Sequence, residues 1–225
     1  MPVHVVFTPA EAAPADVGIV VDVLRATSTI AQALASGYER VLCVAEIEDA
    51  LALRAELPDS LLGGERKAVR VEGFDVGASP REFLEPRAKN LILSTTNGTR
   101  AILETAETCE RVVLGSLLNL SAVAAAVGSD DVVVVCAGFQ GGFALDDAYC
   151  SGRIVQLLSG ERTDAAAAAA LLTHGFPTAL DALNARTYGP PGLEEDIEYC
   201  AQEDLLDVVP QLTGIVGAAA EIMLR

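Results

Sequence analysis

The chain has 225 residues, 51% of them hydrophobic, and a formal net charge of −17 at pH 7. This length is sufficient for a sizeable core, so we expect one compact unit over residues 1–225, with two small lobes as the alternative. The acidity argues against a nucleic-acid or anionic-membrane surface, because such surfaces need clustered Lys and Arg.

The first part of the chain alternates between strand and helix patterns. Runs of β-branched residues predict strands at Val3–Phe7, Val17–Val23 and Arg40–Val44. Apolar residues at helical spacing predict helices over Ala26–Ser36 and Glu46–Glu56. This order is typical of parallel strands joined by crossover helices.

The segment Gly63–Pro80 is rich in glycine and charge, and we interpret it as a functional loop. The alternation then resumes with strand Leu91–Ser94, helix Arg100–Ala106, strand Arg111–Leu114, helix Ser121–Val127, strand Asp131–Cys136 and a helix from Asp146 to Leu158. The remainder from Thr163 reads as helical, including Leu193–Leu206 and Gln211–Leu224. No internal repeat has a convincing period.

These patterns predict an α/β protein with a layered α/β/α structure and a largely parallel sheet. Three predicted strands end in polar turns, which are Asp22–Thr29, Thr95–Arg100 and Gly138–Asp147. In a parallel sheet these turns emerge at the same edge, so residues distant in sequence would meet in one pocket. Helix N-termini at that edge present unpaired N–H groups to an anion. We therefore expect a small anionic substrate.

The second turn has the residues of an anion site. Asn97 and Gly98 tolerate a backbone that directs successive N–H groups inward, and Arg100 offers a two-pronged donor. The alternative is an ordinary strand-to-helix turn that Asn or Thr caps. The residues alone leave both interpretations open.

The acids in the turns have several possible roles. Asp22 at its strand end would ligate Mg2+, attack phosphorus or merely cap the turn, and Arg25 would bind a ligand or a structural acid. Asp146 and Asp147 would hold a metal or complement a helix dipole. Oxygen donors without a histidine cluster favour Mg2+ over zinc.

Other classes of protein lack support in the sequence. No apolar run reaches the roughly 18 residues that span a bilayer, and no signal-peptide pattern is present, so we expect a cytoplasmic protein. The 5 cysteines form no CxxC pair, which argues against a zinc site or a disulfide framework. There is no P-loop, no two-aspartate phosphotransferase motif, no cysteine-phosphatase loop and no GxSxG elbow.

Taken together, the motifs resemble those of the 2-phosphosulfolactate phosphatase family. The matching segments are DVLRATST (Asp22–Thr29), GE with GFDVGASP (Gly64-Glu65 and Gly73–Pro80), TTNGTRA (Thr95–Ala101), CAGFQG with the acidic pair (Cys136–Gly141, Asp146-Asp147) and DIEYC from Asp196. The resemblance implies a Mg2+-dependent hydrolase that converts 2-phospho-3-sulfolactate to 3-sulfolactate and phosphate, a step towards coenzyme M.

On this reading the site combines a metal with cations and turn N–H groups. Asp22, Glu65, Asp146 and Asp147 include the Mg2+ ligands, Asp22, Arg25 and Arg100 are catalytic, and Thr27, Ser28, Thr96, Asn97, Gly98, Thr99 and Gly138 bind substrate. Water attacks phosphorus in one version, and Asp22 is a covalent nucleophile in the other.

Three further expectations concern substrate and partners. Another small phosphorylated hydroxy acid is an alternative substrate, and a non-catalytic anion-binding protein is an alternative function. Alanine-rich segments from Ala165 and near Ala218 expose small apolar surfaces, from which we expect a homo-oligomer.

Overall fold

The computed structural model describes residues 2–11, 14–189 and 191–224, which form eleven strands in one sheet and eight α-helices. The strands are β1 (Pro2–Val6), β2 (Ala15–Val21), β3 (Arg40–Val44), β4 (Ser60–Arg66), β5 (Val69–Arg70), β6 (Asn90–Ser94), β7 (Cys109–Gly115), β8 (Val132–Cys136), β9 (Glu161–Arg162), β10 (Pro210–Val216) and β11 (Ala219–Leu224). The helices are α1 (Ala26–Ala35), α2 (Ile47–Glu56), α3 (Gly98–Ala106), α4 (Leu120–Val127), α5 (Leu145–Leu157), α6 (Asp164–Leu172), α7 (Ala179–Asn184) and α8 (Glu194–Cys200).

The strands follow the order β5-β4-β6-β3-β11-β10-β7-β2-β8-β1-β9 across the sheet. Most neighbouring pairs are parallel, which confirms the α/β fold with a largely parallel sheet. The predicted strand Arg40–Val44 matches β3 residue for residue. Every residue of β8 is buried, as a run of apolar residues covered on both faces requires.

Helices cover both faces of the sheet. On one face Ile30 of α1 and Ile102 of α3 belong to the same core as Val20. Side chains alternate along a strand, so the neighbouring Ile19 faces the other way, into the core that α4 to α8 complete. Leu42 of β3 likewise packs on that side, with residues of α2. The layered α/β/α arrangement is therefore confirmed.

The fold contains a duplication that the sequence does not reveal. The first half (β2-α1-β3-α2-β4) and the second half (β6-α3-β7-α4-β8) have the same order of elements. Their strands pair as β4-β6-β3 and β8-β2-β7. The first strand of each half, β2 or β6, therefore lies between the other two strands of the opposite half. The registers correspond too, because Arg40 pairs with Asn90 as Arg111 pairs with Val17. The two halves have different apolar residues in these strands, although the strands pair in the same register.

A C-terminal hairpin joins the two halves. β10 and β11 are antiparallel to each other, β11 is antiparallel to β3, and β10 is antiparallel to β7. The helix predicted over Gln211–Leu224 is therefore wrong. Its alanines mimic a helical segment, but Ala219, Ala220 and Ile222 are buried as sheet residues, and tertiary context overrides their propensity.

The hairpin also changes the reason why the turns meet. Three successive antiparallel pairings make β3 and β7 run in opposite directions. The turns after β2 and β8 share one edge of the sheet, because these strands are parallel neighbours, but the turn after β6 does not. The turns after β2 and β6 meet because both halves wrap around α1 and α3, whose side chains share one core.

The segment interpreted as a functional loop begins as a strand. β4 runs through Gly63 and Gly64, and only the residues after it are irregular or in the short β5. A side chain at Gly64 would place its Cβ 2.5 Å from the Ser94 carbonyl oxygen, so glycine is required by close backbone packing. The glycines at the start of this segment, which resemble those of a loop, are therefore residues of a buried strand.

The C-terminal part contains α6, α7 and α8 as predicted, although α8 is shorter than the expected Leu193–Leu206. The alanine-rich α6 packs on α5, where a Cβ on Gly152 would lie 2.1 Å from the Ala169 carbonyl oxygen. That small apolar surface is thus used within the chain, and self-association stays a prediction. None of the helices within the described residues is both long enough and apolar enough to cross a membrane.

Candidate active site

A cavity of about 270 Å³ lies where the two halves meet. Of the residues that the sequence singles out, Asp22, Arg25, Glu65, Thr96 and Asn97 line it. The other described residues that line it are Leu24, Ala26, Lys67, Ala68, Ala78, Thr95, Phe139, Gln140, Arg186, Tyr188, Gly189 and Leu193. It thus combines acids, cations, turn residues and apolar walls.

Asp22 directly follows β2 and lies in the short turn that leads into α1. Its Oδ1 accepts the N–H of Ala26, the first residue of that helix, at 3.2 Å. Its own N–H donates to the Thr27 hydroxyl at 3.0 Å, and that hydroxyl donates back to the Asp22 carbonyl at 2.9 Å. These local bonds fix the Asp22 carboxylate at the mouth of a helix N-terminus.

The hydroxyls predicted to bind substrate face the backbone. Thr27 and Ser28 are fully buried, and the Ser28 hydroxyl donates to the Val23 carbonyl at 2.8 Å. Thr29 likewise donates to the Ala78 carbonyl at 2.7 Å. In this arrangement the three residues fasten the start of α1 rather than line the cavity.

The turn after β6 meets the start of α1. An added Cβ at Gly98 would lie 2.4 Å from the Ala26 Cβ and 2.7 Å from Asp22 Oδ2. Only glycine permits this approach, which brings the N-termini of α1 and α3 together. Thr95 and Thr99 are buried, with their hydroxyl oxygens 3.0 Å apart.

Two carboxylates, Glu65 in β4 and Asp147 in α5, each accept an N–H from the turn after the first strand of the other half. Glu65 accepts the Thr96 N–H at 3.0 Å through Oε1 and the Ala68 N–H at 2.6 Å through Oε2. Asp147 accepts the Val23 N–H through Oδ1 and the Gly138 N–H through Oδ2, both at 2.9 Å. Thr96 and Val23 occupy equivalent positions, since each is second after its strand. Both acids therefore use both oxygens on backbone N–H groups.

The acids around Asp22 accumulate negative charge. Burial raises the pKa of Asp22 to about 7, and repulsion from Asp146 and Glu65 adds to that rise. Burial also raises the pKa of Asp146, and burial together with the neighbouring Asp146 and Asp22 charges raises that of Asp147 well above its ordinary value. A bound cation would be favoured here, because it would relieve the repulsion among these buried carboxylates.

The donor chemistry fits Mg2+ through a small number of protein ligands. Within residues 2–11, 14–189 and 191–224, no three His, Cys, Asp or Glu side chains form a ready-made metal site. Mg2+ at phosphate sites commonly takes only one or two carboxylates, together with water and substrate oxygens. Asp22 and Asp146 suit this pattern, because both are buried and Asp146 repels Asp22, a penalty that a bound cation would relieve.

The two predicted catalytic arginines lie in different surroundings. Arg25 is 9% exposed, donates to Asp196 at 2.6 Å and to the Ala68 carbonyl at 3.1 Å, and reaches the cavity wall with its charge already balanced. Arg100 is 62% exposed and pairs with Glu46 at 3.3 Å, outside the cavity lining. Their catalytic roles stay predictions.

Three of the cavity residues that sequence reasoning missed are Lys67, Arg186 and Tyr188. Lys67 lies in the segment that composition singled out, but no motif separated it from its neighbours. Arg186 and Tyr188 follow α7, in a stretch without any recognised pattern. Tyr188 stacks on Phe139 with ring centroids 4.5 Å apart, and its hydroxyl donates to Asp146. Burial raises the pKa of the Tyr188 phenol, so it remains a donor.

Comparison with known proteins identifies relatives over nearly the whole chain. The family model described as 2-phosphosulpholactate phosphatase matches residues 5–214. A protein of Clostridium acetobutylicum named probable 2-phosphosulfolactate phosphatase is 41% identical, over 87% of this chain and 88% of its own. Proteins with the same name are 38% identical in Caldanaerobacter subterraneus, over 90% of each chain, and in Symbiobacterium thermophilum, over 91% of this chain and 94% of theirs.

Proposed function

The chain belongs to the 2-phosphosulpholactate phosphatase family, and from this premise we propose that it hydrolyses 2-phospho-3-sulfolactate to 3-sulfolactate and phosphate with Mg2+ as cofactor. The observation that carries the proposal is the position of Asp22, a buried acid in a cavity where two helix N-termini meet. A phosphate ester suits this position because the helix ends supply N–H groups and positive potential.

The chain's own residues position the ester. The positive N-terminal ends of α1 and α3 attract the phosphate group, and Glu65 and Asp147 keep the turns before these helices in place. Asp22 and Asp146 would hold Mg2+, which when bound neutralises charge on the phosphate and stabilises the transition state. The apolar walls around Leu193 exclude water and strengthen these electrostatic interactions.

In the balanced reaction, water supplies oxygen to phosphorus while the ester C–O oxygen leaves as the hydroxyl of 3-sulfolactate. The oxygen arrives directly from water in one version. In the other, Asp22 first forms an acyl phosphate, which water then hydrolyses at the carboxyl carbon or at phosphorus.

Phosphate release from 2-phospho-3-sulfolactate, measured with Mg2+ and after chelation, tests the function. We expect release that requires the metal. A protein that binds the ester but never releases phosphate would instead be an anion-binding protein.

Isotope labelling distinguishes the two routes. After many turnovers in H2(18)O, mass spectrometry of the peptide that contains Asp22 reports label in its carboxylate only if acyl-phosphate hydrolysis occurs at carbon. Trapping of phospho-enzyme by rapid quench with a 32P ester covers hydrolysis at phosphorus. With neither signal, direct attack by water stands.

A further inference from the structure

The cavity contains two cations without a salt-bridge partner among the described residues, although Arg186 lies near Asp146 and Glu194. Arg25 is paired with Asp196, but Lys67 and Arg186 make no ion pair within 4.0 Å among the residues that the structure describes. Within the part of the chain that the structure describes, the side chain of Arg186 donates to the Leu183 carbonyl alone, at 3.1 Å. In a protein with a net charge of −17, two unpaired cations on one cavity wall need an explanation.

The backbone holds Lys67 in an unfavourable conformation at the cavity. Lys67 and Ala68 form the two-residue turn between β4 and β5, with φ of +54° and +64°. Such turns favour Asn-Gly, and strain of this kind concentrates at sites where the side chain is needed. The turn is fastened from both sides, because Glu65 accepts the Ala68 N–H and Arg25 donates to the Ala68 carbonyl.

Arg186 reaches the cavity from the opposite element, the connection between α7 and α8. The neighbouring Tyr188 anchors this connection by stacking on Phe139 and by donating to Asp146. Arg186 also lies close enough to lower the pKa of Asp146, although burial outweighs that effect. The two cations therefore stand on separate, fixed parts of the cavity wall.

We propose that Lys67 and Arg186 are specificity-determining residues that bind the carboxylate and the sulfonate of the substrate. This inference rests on the proposed function, in which the phosphate occupies the turns beside Asp22. A three-carbon ester with two further acid groups then needs two more cations, and the cavity supplies these two. The substrate class is a small phosphate monoester that carries additional acid groups.

The test compares esters that differ only in those acid groups. kcat and KM are measured for 2-phospho-3-sulfolactate and for 2-phospholactate, which has a methyl hydrogen in place of the sulfonate. We expect Lys67→Met and Arg186→Met each to raise KM for 2-phospho-3-sulfolactate by about tenfold to a hundredfold while kcat changes little. At least one variant should lose the preference for the sulfonate-bearing ester.

Matched controls are Lys89→Met and Arg87→Met, since Lys89 pairs only with the exposed Glu39 and Arg87 donates to the Glu82 carbonyl. Both should keep the wild-type preference. Lys67→Arg should retain most of the affinity, because the charge persists, and melting curves establish that each variant folds.

Failure of the inference and failure of the proposed function give different results in these measurements. If wild type releases phosphate but both variants keep the wild-type KM values and preference, the inference is overturned and the proposed function stands. If wild type releases no phosphate, the proposed function is overturned. Calorimetric binding of 3-sulfolactate and lactate to the same proteins then decides, and equal binding by wild type and both variants overturns the inference.

Discussion

The two halves of the duplicated sheet share their frame and differ in their chemistry. Val21 and Ser94 are equivalent, since they pair with the equivalent residues Gly115 and Val44. The next residue is Asp22 in the first half but Thr95 in the second. The duplicated frame therefore brings two similar turns together, and one carboxylate at their junction makes the site asymmetric.

The contacts that hold the turns after β2 and β6 are alike in the two halves. Glu65 and Asp147 each accept one backbone N–H from a turn of the opposite half, at Thr96 and Val23, and a second from nearby in the chain, at Ala68 and Gly138. Acids that accept turn N–H groups thus occur both in β4 and in α5, whereas an acid directly after the first strand occurs in the first half alone.

The largest effect is expected from a substitution of Asp22, the residue that makes the two turns differ. Asp22→Asn should lower kcat for phosphate release by about a thousandfold or more, because it removes the ionisable group at the junction. Thr95→Val, at the equivalent position, should lower kcat by about tenfold or less. Steady-state kinetics of both variants check the difference, and equal losses would contradict the asymmetric assignment.

The pH dependence of stability distinguishes the same two positions. In the metal-free protein the pKa of Asp22 is raised from 3.8 to about 7. Between these values the unfolded chain is ionised and the native site keeps its proton, so the free energy of unfolding falls as pH rises, by at most about 1.4 kcal/mol per pH unit.

Urea titrations of wild type and Asp22→Asn between pH 4 and pH 8, with metal chelated, measure this effect. The variant should show a shallower fall, and Thr95→Val should follow wild type. Parallel curves for wild type and Asp22→Asn would mean that Asp22 ionises normally in the native site.

A smaller effect tests the contact between the halves. Gly98→Ala should destabilise the protein by about 1–3 kcal/mol, because its Cβ would overlap Ala26 and Asp22. Ala26→Gly, at the first residue of the other helix, should cost about 1 kcal/mol or less. Thermal unfolding compares the two, and a neutral Gly98→Ala would show that the helix ends do not abut.

The smallest effects concern the symmetric pair. Glu65→Gln and Asp147→Asn should each lower stability by about 1–2 kcal/mol, because an amide nitrogen cannot accept the second N–H. Their affinity for Mg2+ should remain near wild type, whereas Asp22→Asn and Asp146→Asn should weaken it. Calorimetry with Mg2+ checks this, and weak binding by folded Glu65→Gln would make Glu65 a metal ligand.

Local pattern predicted the helices and most strands because each follows from a short periodic segment. It failed for Gln211–Leu224, since small apolar residues suit either a helix or a buried central strand, and only the flanking strands β3 and β7 decide between them. It also failed for Gly63-Gly64, where close packing imitates loop composition.

The site was predictable to the extent that its residues lie in strand-end turns. Asp22, Glu65 and Thr96 meet in the cavity, although the parallel-edge argument holds only within each parallel set of strands and fails between β2 and β6. Lys67 and Arg186 were beyond reach, because a cation is notable only once its lack of an acidic partner is known, and partners belong to the tertiary structure. The individual roles of these residues stay predictions.

The exchange of first strands between the halves has a consequence for cooperativity. Removal of β2 would separate β7 from β8, and removal of β6 would separate β3 from β4, so neither half retains a continuous sheet alone. We therefore expect the chain to unfold in a single transition, without a partly folded species that keeps one half intact. The junction that forms the cavity would then be lost only together with the whole fold.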